Sequence, residues 1–425
     1  MSITIPRTLF ISSYAPPAIG GPQNLYNLLR DLPTESYAVM TSFYHIDNVS
    51  AQKGDWLSGD YIFYDNPGGS RSDTEAPQAS QWRRRAERLK NMIRRIGWVR
   101  VVTGIPVLFG QIMMIAREGQ RAVRERGFKL LVGFSDYGPA MIGTYLVHKR
   151  TNVPFYIFLF DIYKGNYFFA PGGALLARWY EERIFRAAQK IVVTNEGTRD
   201  FYRQRYGDAV ANKMVVIHNS VFPEAYTRPA TPYAPHPPYT VLFTGRVYWP
   251  QIGALKNLIA AVEGITDLDV RIKIYSPQSP DHLRALGLVS DKVQFDMAPP
   301  SEMPQVQSSA DILFLPLSWD TPSPDIINTA TPGKLTDYLV AGRPMLIHAP
   351  ATTYLVRYAR ENSFAQVVDV DDVASLQDGI RHLLTHPELA QALMRNAQAT
   401  FSQHHDANRN ATKFWELLAS AHSDH

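Results

Sequence analysis

Lys334 and Asp337, three residues apart, are the side chains in this sequence whose types and spacing best suit chemistry. They belong to 331–344, TPGKLTDYLVAGRP, which has the pattern of a short helix. A lysine in the first helical turn is mildly unfavourable unless an anion shares the site, because the exposed N–H groups there already favour negative charge. The pair could hold a nucleotide diphosphate and its ribose. An ordinary surface helix with a Lys–Asp pair explains the same residues, and this stretch alone favours the surface helix slightly.

The start and stop signals of that helix are visible in the sequence. Thr331 is a preferred N-cap residue, and Pro332 suits the first helical position. Gly342 suits the left-handed position after the helix, and Pro344 follows it. The stretch therefore predicts a helix that begins at Pro332 and is followed by a buried strand at 345–347.

A glycine pair, Gly20-Gly21, follows the apolar strand predicted at 9–13 and precedes a helix predicted at 23–32. Strand, glycine loop and helix form the first unit of many nucleotide-binding α/β domains, and glycine lets a backbone approach a ligand closely. The pair is not a GxGxxG motif, so a tight turn explains it equally simply.

Asp161 directly follows PFYIFLF at 154–160, a strongly apolar predicted strand. Ligands of parallel sheets bind at the carboxyl ends of the strands. Asp161 is therefore a candidate to contact an acceptor hydroxyl or to act as a base. A helix cap, or a partner for Lys164, is an equally good explanation.

The bulk composition describes a globular protein of more than one domain. The 425 residues predict two or three domains, and 45% hydrophobic with 19% charged residues excludes a disordered chain. The sequence contains no cysteine, which excludes disulfides, thiolate metal sites and cysteine nucleophiles. The first 17 residues lack the basic start and long apolar core of a signal peptide, so we expect a cytoplasmic location.

A basic and aromatic segment at 82–100, WRRRAERLKNMIRRIGWVR, suits an anionic membrane surface. A solvated basic helix packed on its own domain is the alternative, although the two tryptophans favour the interface. The apolar run at 101–116 is interrupted by Gly104 and Pro106 and is shorter than the ~20 residues that span a bilayer. We read it as a core helix or a loop leading into one. The residues expected at the membrane are Trp82, Arg83, Arg84, Arg85, Arg94, Arg95 and Trp98.

Nucleic-acid binding is not indicated, because the excess of positive charge is confined to one segment. Residues 81–130 contain thirteen Lys and Arg against three Glu, while the whole chain has a net charge of only +4. A nucleic-acid binder more often distributes basic residues over a fold or a known motif.

The order of predicted elements implies two α/β domains. Strands alternate with helices through 1–222, which predicts a mostly parallel, doubly wound sheet. Six prolines at 223–238 mark a linker, and the pattern restarts at 239–404. We expect the helix at 405–425 to pack back on the first domain. The predicted fold is thus two facing Rossmann-like domains with a cleft between them.

Six segments, in the right order, give the chain a resemblance to nucleotide-sugar glycosyltransferases of the GT-B architecture. It most resembles the retaining glycosyl transferases of group 1, or family 4, and the resemblance covers nearly the whole chain. The matching segments are Gly20-Gly21, FLFDIY at 158–163, VVIHNSV at 215–221, FTGRVYWPQIGALKNLI at 243–259, SSADILFLPL at 308–317 and TPGKLTDYLVAGRPMLI at 331–347.

The resemblance implies roles for individual residues. Lys334, with the backbone of Thr331, Pro332 and Gly333, would bind the donor diphosphate, and Asp337 would contact the ribose in place of the family's usual Glu. Arg246 would contact phosphate and stabilise the leaving group. Lys256 is the candidate for a second phosphate-binding lysine. The backbone of Gly20 and Gly21 would approach the phosphate from the other domain. Asp161, at the end of a strand in that domain, would contact the acceptor hydroxyl or act as a base.

Two departures from the family pattern concern the catalytic site. Thr329 stands where the paired-carboxylate motif has its first Glu, and Ser135-Asp136 stand where a His is usual. They imply different donor-sugar contacts and a reduced or atypical activity.

A D-x-D motif, a common metal-binding pattern in sugar transfer, is expected to play no part. Asp369-Val370-Asp371 has the spacing but falls in what we predict to be a connecting segment. Arg, Lys and a helix N-terminus can stabilise a leaving diphosphate without a metal. We therefore expect metal independence and no cofactor other than the nucleoside-diphosphate sugar substrate.

The sequence thus favours a transferase that moves a sugar from a nucleotide donor to a glycan or lipid-linked acceptor at the inner face of a membrane, in polysaccharide or glycoconjugate synthesis. A nucleotide-sugar epimerase of similar fold is one alternative, although no convincing set of acid and base residues supports it. A non-catalytic scaffold that binds nucleotide sugars is the other.

Overall fold

The computed structural model describes residues 5–14, 21–42, 56–65, 97–135, 138–166, 171–226 and 233–421. The chain divides into two compact units. Unit 1 comprises Met1–Ile217 and Ala411–His425, and unit 2 comprises His218–Asn410. The sequence predicts these divisions a few residues away, at 222/223 and 404/405. Each unit is a parallel sheet with interleaved helices, which confirms the predicted α/β class.

Unit 1 contains a parallel sheet of seven described strands in the order β3-β2-β1-β4-β5-β6-β7. The strand order reverses at β1, which pairs with β2 on one side and β4 on the other. Crevices for ligands form beyond the carboxyl ends of strands at such a point. The strands are β1 Thr8–Ile11, β2 Tyr37–Thr41, β3 Asp60–Phe63, β4 Leu130–Phe134, β5 Phe155–Leu159, β6 Lys190–Val193 and β7 Met214–Val216.

The helices of unit 1 include one of 30 residues, Gly97–Arg126, that runs through Pro106. Gly104 and Pro106 interrupt the apolar pattern of this run but not the helix, and a core helix is one of the two interpretations that the sequence supports for 101–116. A proline removes one backbone donor and bends a helix, and close packing further along holds this one. The helices are α1 Gly21–Leu29, α2 Gly97–Arg126, α3 Pro139–Thr151, α4 Pro171–Ala187, α5 Glu196–Tyr206 and α6 Asp208–Ala211.

Unit 2 contains a parallel sheet of six described strands in the order β10-β9-β8-β11-β12-β13. Its edge strand β13 was not predicted from the sequence, because three residues, QVV, carry no readable alternation. The strands are β8 Tyr239–Thr244, β9 Val270–Tyr275, β10 Val293–Asp296, β11 Ile312–Pro316, β12 Met345–His348 and β13 Gln366–Val368.

Apolar clusters on both faces of this sheet form the core of unit 2. Unit 2 also contains two 3₁₀ turns, Pro223–Ala225 and Pro300–Glu302, and a π-helical turn, Phe401–His405, while unit 1 has a 3₁₀ turn at Thr34–Ser36. The helices are α7 Trp249–Gly264, α8 Pro280–Ala285, α9 Met303–Ser308, α10 Pro324–Thr329, α11 Lys334–Val340, α12 Tyr354–Asn362, α13 Val373–Thr385 and α14 Pro387–Thr400.

The last helix, α15 Ala407–Ser420, contributes to the core of unit 1. Phe414 is fully buried beside Phe10, and Trp415 Nε1 donates a hydrogen bond of 2.7 Å to the Leu28 carbonyl. Among the described helices, none combines the length and the apolar character needed to cross a membrane.

Candidate functional site

Helix α11 carries the lysine and aspartate singled out by the sequence, but it begins later than predicted. Leu335 N donates to the Pro332 carbonyl at 2.9 Å and the Thr336 hydroxyl to the Gly333 carbonyl at 2.6 Å. These bonds close a tighter first turn, so the regular helix starts at Lys334, and the predicted N-cap role of Thr331 was wrong. The helix ends as predicted, since Gly342 has a left-handed φ of 68°.

Lys334 lies in an unusual environment for an ammonium group. Its Nζ is 3.8 Å from the centroid of the Phe243 ring, and a β-carbon on Gly245 would lie only 3.5 Å from it. The side chain is partly buried, and this burial lowers the lysine's pKa to about 7, with the Asp337 charge opposing the shift. A neighbouring anion would favour the protonated form of Lys334, so this environment favours the binding of a negatively charged group.

Asp337, one turn further, is also partly buried. Burial raises the pKa of its carboxyl to about 6, while a hydrogen bond from Tyr226 and the charge of Lys334 oppose that shift. The Tyr226 hydroxyl lies 2.8 Å from Asp337 Oδ1. Lys334 and Asp337 thus influence each other electrostatically, and burial shifts the pKa of each toward neutrality.

The Gly245-Arg246 turn follows β8 directly and meets Lys334 there. Gly245 has a φ of 107°, which favours glycine, and its N–H donates to the Tyr275 carbonyl at 2.8 Å. Arg246 is exposed. The structure thus brings Lys334, Asp337 and the Gly245-Arg246 turn to the carboxyl edge of one sheet.

Lys256 lies elsewhere on unit 2. It is exposed on α7, and a β-carbon on Gly287 would lie 2.9 Å from its Cε. Its side chain therefore runs along the turn after α8, two helical turns from the start of α7 at Trp249.

Two threonines before α11 differ in how their hydroxyls are satisfied. Thr329, at the place of the family's first Glu, donates to the Asp325 carbonyl at 2.8 Å within its own helix. Thr331 has a buried Oγ1 for which the described part of the chain provides no hydrogen-bond partner. Of its neighbours, Pro332 is partly buried and Gly333 is exposed.

In unit 1, Asp161 is exposed two residues after β5. The loop that follows it is held by Glu181, which is fully buried and accepts from the Lys164 N–H at 2.5 Å. Tyr202 and Tyr206 also donate to this carboxylate, at 3.1 and 2.6 Å. The arrangement fixes the loop beyond Asp161.

Sequence reasoning missed Glu181, although a signal existed. Buried Ala177, Ile184 and Phe185 lie three and four residues away on α4, so helical spacing places this acid on the apolar face. Burial raises the pKa of the Glu181 carboxyl, and its hydrogen bonds oppose that shift.

Gly21 begins α1 and packs against Phe160. A β-carbon at this position would lie 2.5 Å from the Phe160 ring, so close packing alone explains why a glycine is needed here. Gly20 and Asp136 lie outside the described residues, while Ser135 accepts from the Phe160 N–H at 3.0 Å.

Most of the residues predicted to contact a membrane lie outside the part of the chain that the structure describes. Trp82, Arg83, Arg84, Arg85, Arg94 and Arg95 lie outside the described residues, and Trp98 is in the first turn of α2.

The D-x-D motif requires a correction. As predicted, Asp369-Val370-Asp371 lies in a connecting segment, between β13 and α13. The expectation that no D-x-D stands at a strand end was wrong, because β13 was missed and the motif directly follows it. Asp369 pairs with Arg360 at 2.8 Å, and Asp371 accepts from Asn257 Nδ2 at 2.7 Å. Both carboxylates thus have partners within the protein.

Comparison with family models gives two matches along the chain. Residues 67–220 match the glycosyl transferase 4-like domain, and residues 255–416 match a domain described as glycosyl transferase-like. The comparison with curated proteins gave no match.

Solved structures share the fold over nearly the whole chain. A glycosyltransferase from Rickettsia africae ESF-5 aligns with a TM-score of 0.62 at 12% identity, covering 99% of this chain and 100% of that one. HepE from Anabaena, solved with UDP-glucose, gives 0.64 at 14% identity, covering 97% and 99%. Sucrose-phosphate synthase from Thermosynechococcus elongatus gives 0.65 at 13% identity, covering 98% and 99%.

The similarity to these solved structures supports the fold, and the two family models match the amino-acid sequence itself. The chain belongs to the group 1 glycosyltransferases, enzymes of the GT-B architecture built from two Rossmann-like domains.

Proposed function

We propose that this protein transfers a sugar from a nucleoside-diphosphate donor, with retention of configuration and without a metal. The observation that carries the proposal is the meeting of Lys334, Asp337 and the Gly245-Arg246 turn at one sheet edge. A cation with a lowered pKa beside a glycine turn suits a diphosphate, and a carboxylate one turn away suits a ribose diol.

The chemistry follows from where charge develops. As the bond between the anomeric carbon and the phosphate oxygen breaks, negative charge grows on the diphosphate. Lys334 as an ammonium, with Arg246, would stabilise that charge more in the transition state than in the ground state. Thr331 would add a hydroxyl donor. Asp161 on unit 1 would accept a hydrogen bond from the acceptor hydroxyl.

Metal independence is supported by the partners of the D-x-D carboxylates. Asp369 and Asp371 are engaged by Arg360 and Asn257, so a cation would have to displace those contacts.

A glycan or lipid-linked acceptor at an anionic membrane surface is the acceptor class we favour, for synthesis of a polysaccharide or glycoconjugate. The basic and aromatic composition of 82–98 supports it. A second support is the exposed face of α4, where Trp179 is 62% exposed and Leu175 44% exposed. Together with Lys164, Arg178, Glu182, Arg183 and Arg186 they line an open cavity of about 700 Å³, in which Glu182 pairs with Arg186 at 2.7 Å. We therefore place the enzyme on the cytoplasmic face of a membrane.

A non-catalytic nucleotide-sugar-binding scaffold is the second candidate, because Thr329 occupies the place of an acid and is satisfied within its own helix. It predicts nucleotide binding without turnover.

The proposal is tested by a thermal-shift screen of purified protein with UDP, GDP, ADP and dTDP. One of them should raise the melting temperature, because a ligand that binds only the folded state stabilises it. Lys334→Ala should lose most of that shift while melting alone at a similar temperature, and Lys256→Ala should retain it. No shift with any of the four would refute the proposal.

A further inference from the structure

Tyr226 reaches Asp337 from a different segment of unit 2. It follows the 3₁₀ turn Pro223–Ala225 and packs, partly buried, against the apolar cluster beneath α11. Its hydroxyl lies 2.8 Å from Asp337 Oδ1. Within the described part of the chain, this is the only hydrogen bond made to the Asp337 carboxylate. The orientation of that carboxylate is thus fixed by a residue outside its own helix.

The same hydroxyl belongs to a buried network that ends at β8. It lies 2.9 Å from Gln307 Oε1, and Gln307 Nε2 donates to Thr244 Oγ1 at 3.3 Å. The Thr244 N–H in turn donates to the Tyr338 hydroxyl at 2.9 Å. Because Thr244 directly precedes Gly245, the network joins the carboxylate of Asp337 to the turn that would meet the phosphates.

A tyrosine hydroxyl has one proton, so it serves one of the two acceptors at a time. An ionised carboxylate is the stronger acceptor, so Asp337 receives this proton when it is charged. Oδ2 and the remaining lone pairs then stay available for a ligand.

We propose that Tyr226 is a positioning residue for the donor ribose: it orients the Asp337 carboxylate and keeps it ionised, so that the 2′- and 3′-hydroxyls can donate to it. This inference rests on the proposed function and names a specificity determinant of the same site. Tyr226 acts through Asp337 and has no direct role in the reaction.

The pH dependence gives the proposal a distinctive signature. Tyr226, Lys334 and Tyr338 are the ionisable groups that face Asp337. The Tyr226 hydrogen bond lowers the pKa of the Asp337 carboxyl, against burial, which raises it. Removing the Tyr226 hydroxyl therefore raises the pKa of the Asp337 carboxyl further and leaves less of it ionised at pH 6.5. At pH 8 this carboxyl is ionised in both the unmodified protein and the variant. The defect should shrink as the pH rises.

The test compares UDP with 2′,3′-dideoxyuridine diphosphate by titration calorimetry, or the guanosine pair if GDP binds more tightly. The two nucleotides share the same phosphates, so Lys334 and phosphate ionisation cancel in the ratio of their affinities. Tyr226→Phe should lower the preference for UDP about tenfold at pH 6.5, the effect of losing a hydrogen bond to a charged group. At pH 8, Tyr226→Phe should lower the preference for UDP less. Tyr233→Phe, whose hydroxyl donates to the Asp311 carbonyl at 3.1 Å, is the matched control and should leave the ratio unchanged.

A double-mutant cycle guards against a merely structural effect. In an Asp337→Asn background, Tyr226→Phe should not change the ratio further, because the carboxylate it positions is gone. An equal fall in both affinities, or an unchanged ratio in Tyr226→Phe, would overturn this inference and leave the proposed function intact. Failure of the unmodified protein to bind any of UDP, GDP, ADP and dTDP would overturn both.

Discussion

At the scale of single residues, Lys334 is the group on which the account depends. Its Nζ lies on the Phe243 ring and beside Gly245, and burial lowers its pKa to about 7. A lysine in the first turn suggested an anion site here as one reading, while the stretch alone slightly favoured an ordinary surface helix. The cause found in the structure is different, because the lysine's own desolvation, rather than a helix dipole, makes an anion favourable.

Lys334 should take up a proton when a diphosphate binds above pH 7. The free amine is mostly neutral at pH 8, and a bound diphosphate, itself fully ionised there because its last ionisation lies near pH 6, restores the ammonium. Calorimetry in buffers of different ionisation enthalpy should show uptake approaching one proton per UDP at pH 8 and little at pH 6. Lys334→Arg, which stays charged, should abolish the uptake. Equal uptake in both proteins would contradict this role.

At the scale of elements, most of the sheet and helix order could be predicted from the sequence, while some ends and one strand could not. Apolar runs such as ILFL at 312–315 predict strands clearly, because parallel strands are buried on both faces. The three-residue β13 has no such run, and missing it hid the fact that Asp369 stands at a strand end. Tyr226 could not be found from the sequence either, because its contact with Asp337 spans 111 residues.

Two glycines of α2 should respond in opposite directions to alanine. A β-carbon on Gly119 would lie 2.5 Å from Val147 of α3, whereas one on Gly110 would meet nothing within 4 Å. Gly119→Ala should lower the free energy of unfolding by about 1–3 kcal/mol through overpacking. Gly110→Ala should raise it by about 0.5–1 kcal/mol through helix propensity. Melting temperatures measure both, and a stabilised Gly119→Ala would show that α2 and α3 do not pack this closely.

At the scale of the whole molecule, the two units share the same α/β plan, and we propose different roles for them. Unit 2 gathers the proposed donor residues, and unit 1 carries Asp161 and the exposed face formed by Leu175, Trp179 and the arginines of α4. This division of roles stays a prediction from the resemblance. The α4 face could not be predicted, because exposure depends on how the helix packs.

That face should contribute to binding of anionic vesicles. Each arginine near such a surface contributes about 1 kcal/mol, so Trp179→Ala with Arg178→Ser and Arg183→Ser should lower partitioning into phosphatidylglycerol vesicles on the order of tenfold or more. The matched control on unit 2, Met297→Ala with Arg271→Ser and Arg284→Ser, removes the same charge and an exposed apolar group. Sedimentation with vesicles measures the partitioning of both variants. An equal loss of partitioning in the two would show that membrane binding depends on net charge alone.

Release of UDP from UDP-glucose, or of GDP from GDP-mannose if GDP gave the larger shift, tests the central claim most directly. The purified protein should release the nucleotide and leave the sugar with its original anomeric configuration, which NMR reports. Lys334→Ala should lower release by at least tenfold, because it removes a charge that stabilises the leaving diphosphate. Binding without release would favour the scaffold, and release unchanged in Lys334→Ala would contradict the placement of the donor phosphates at α11.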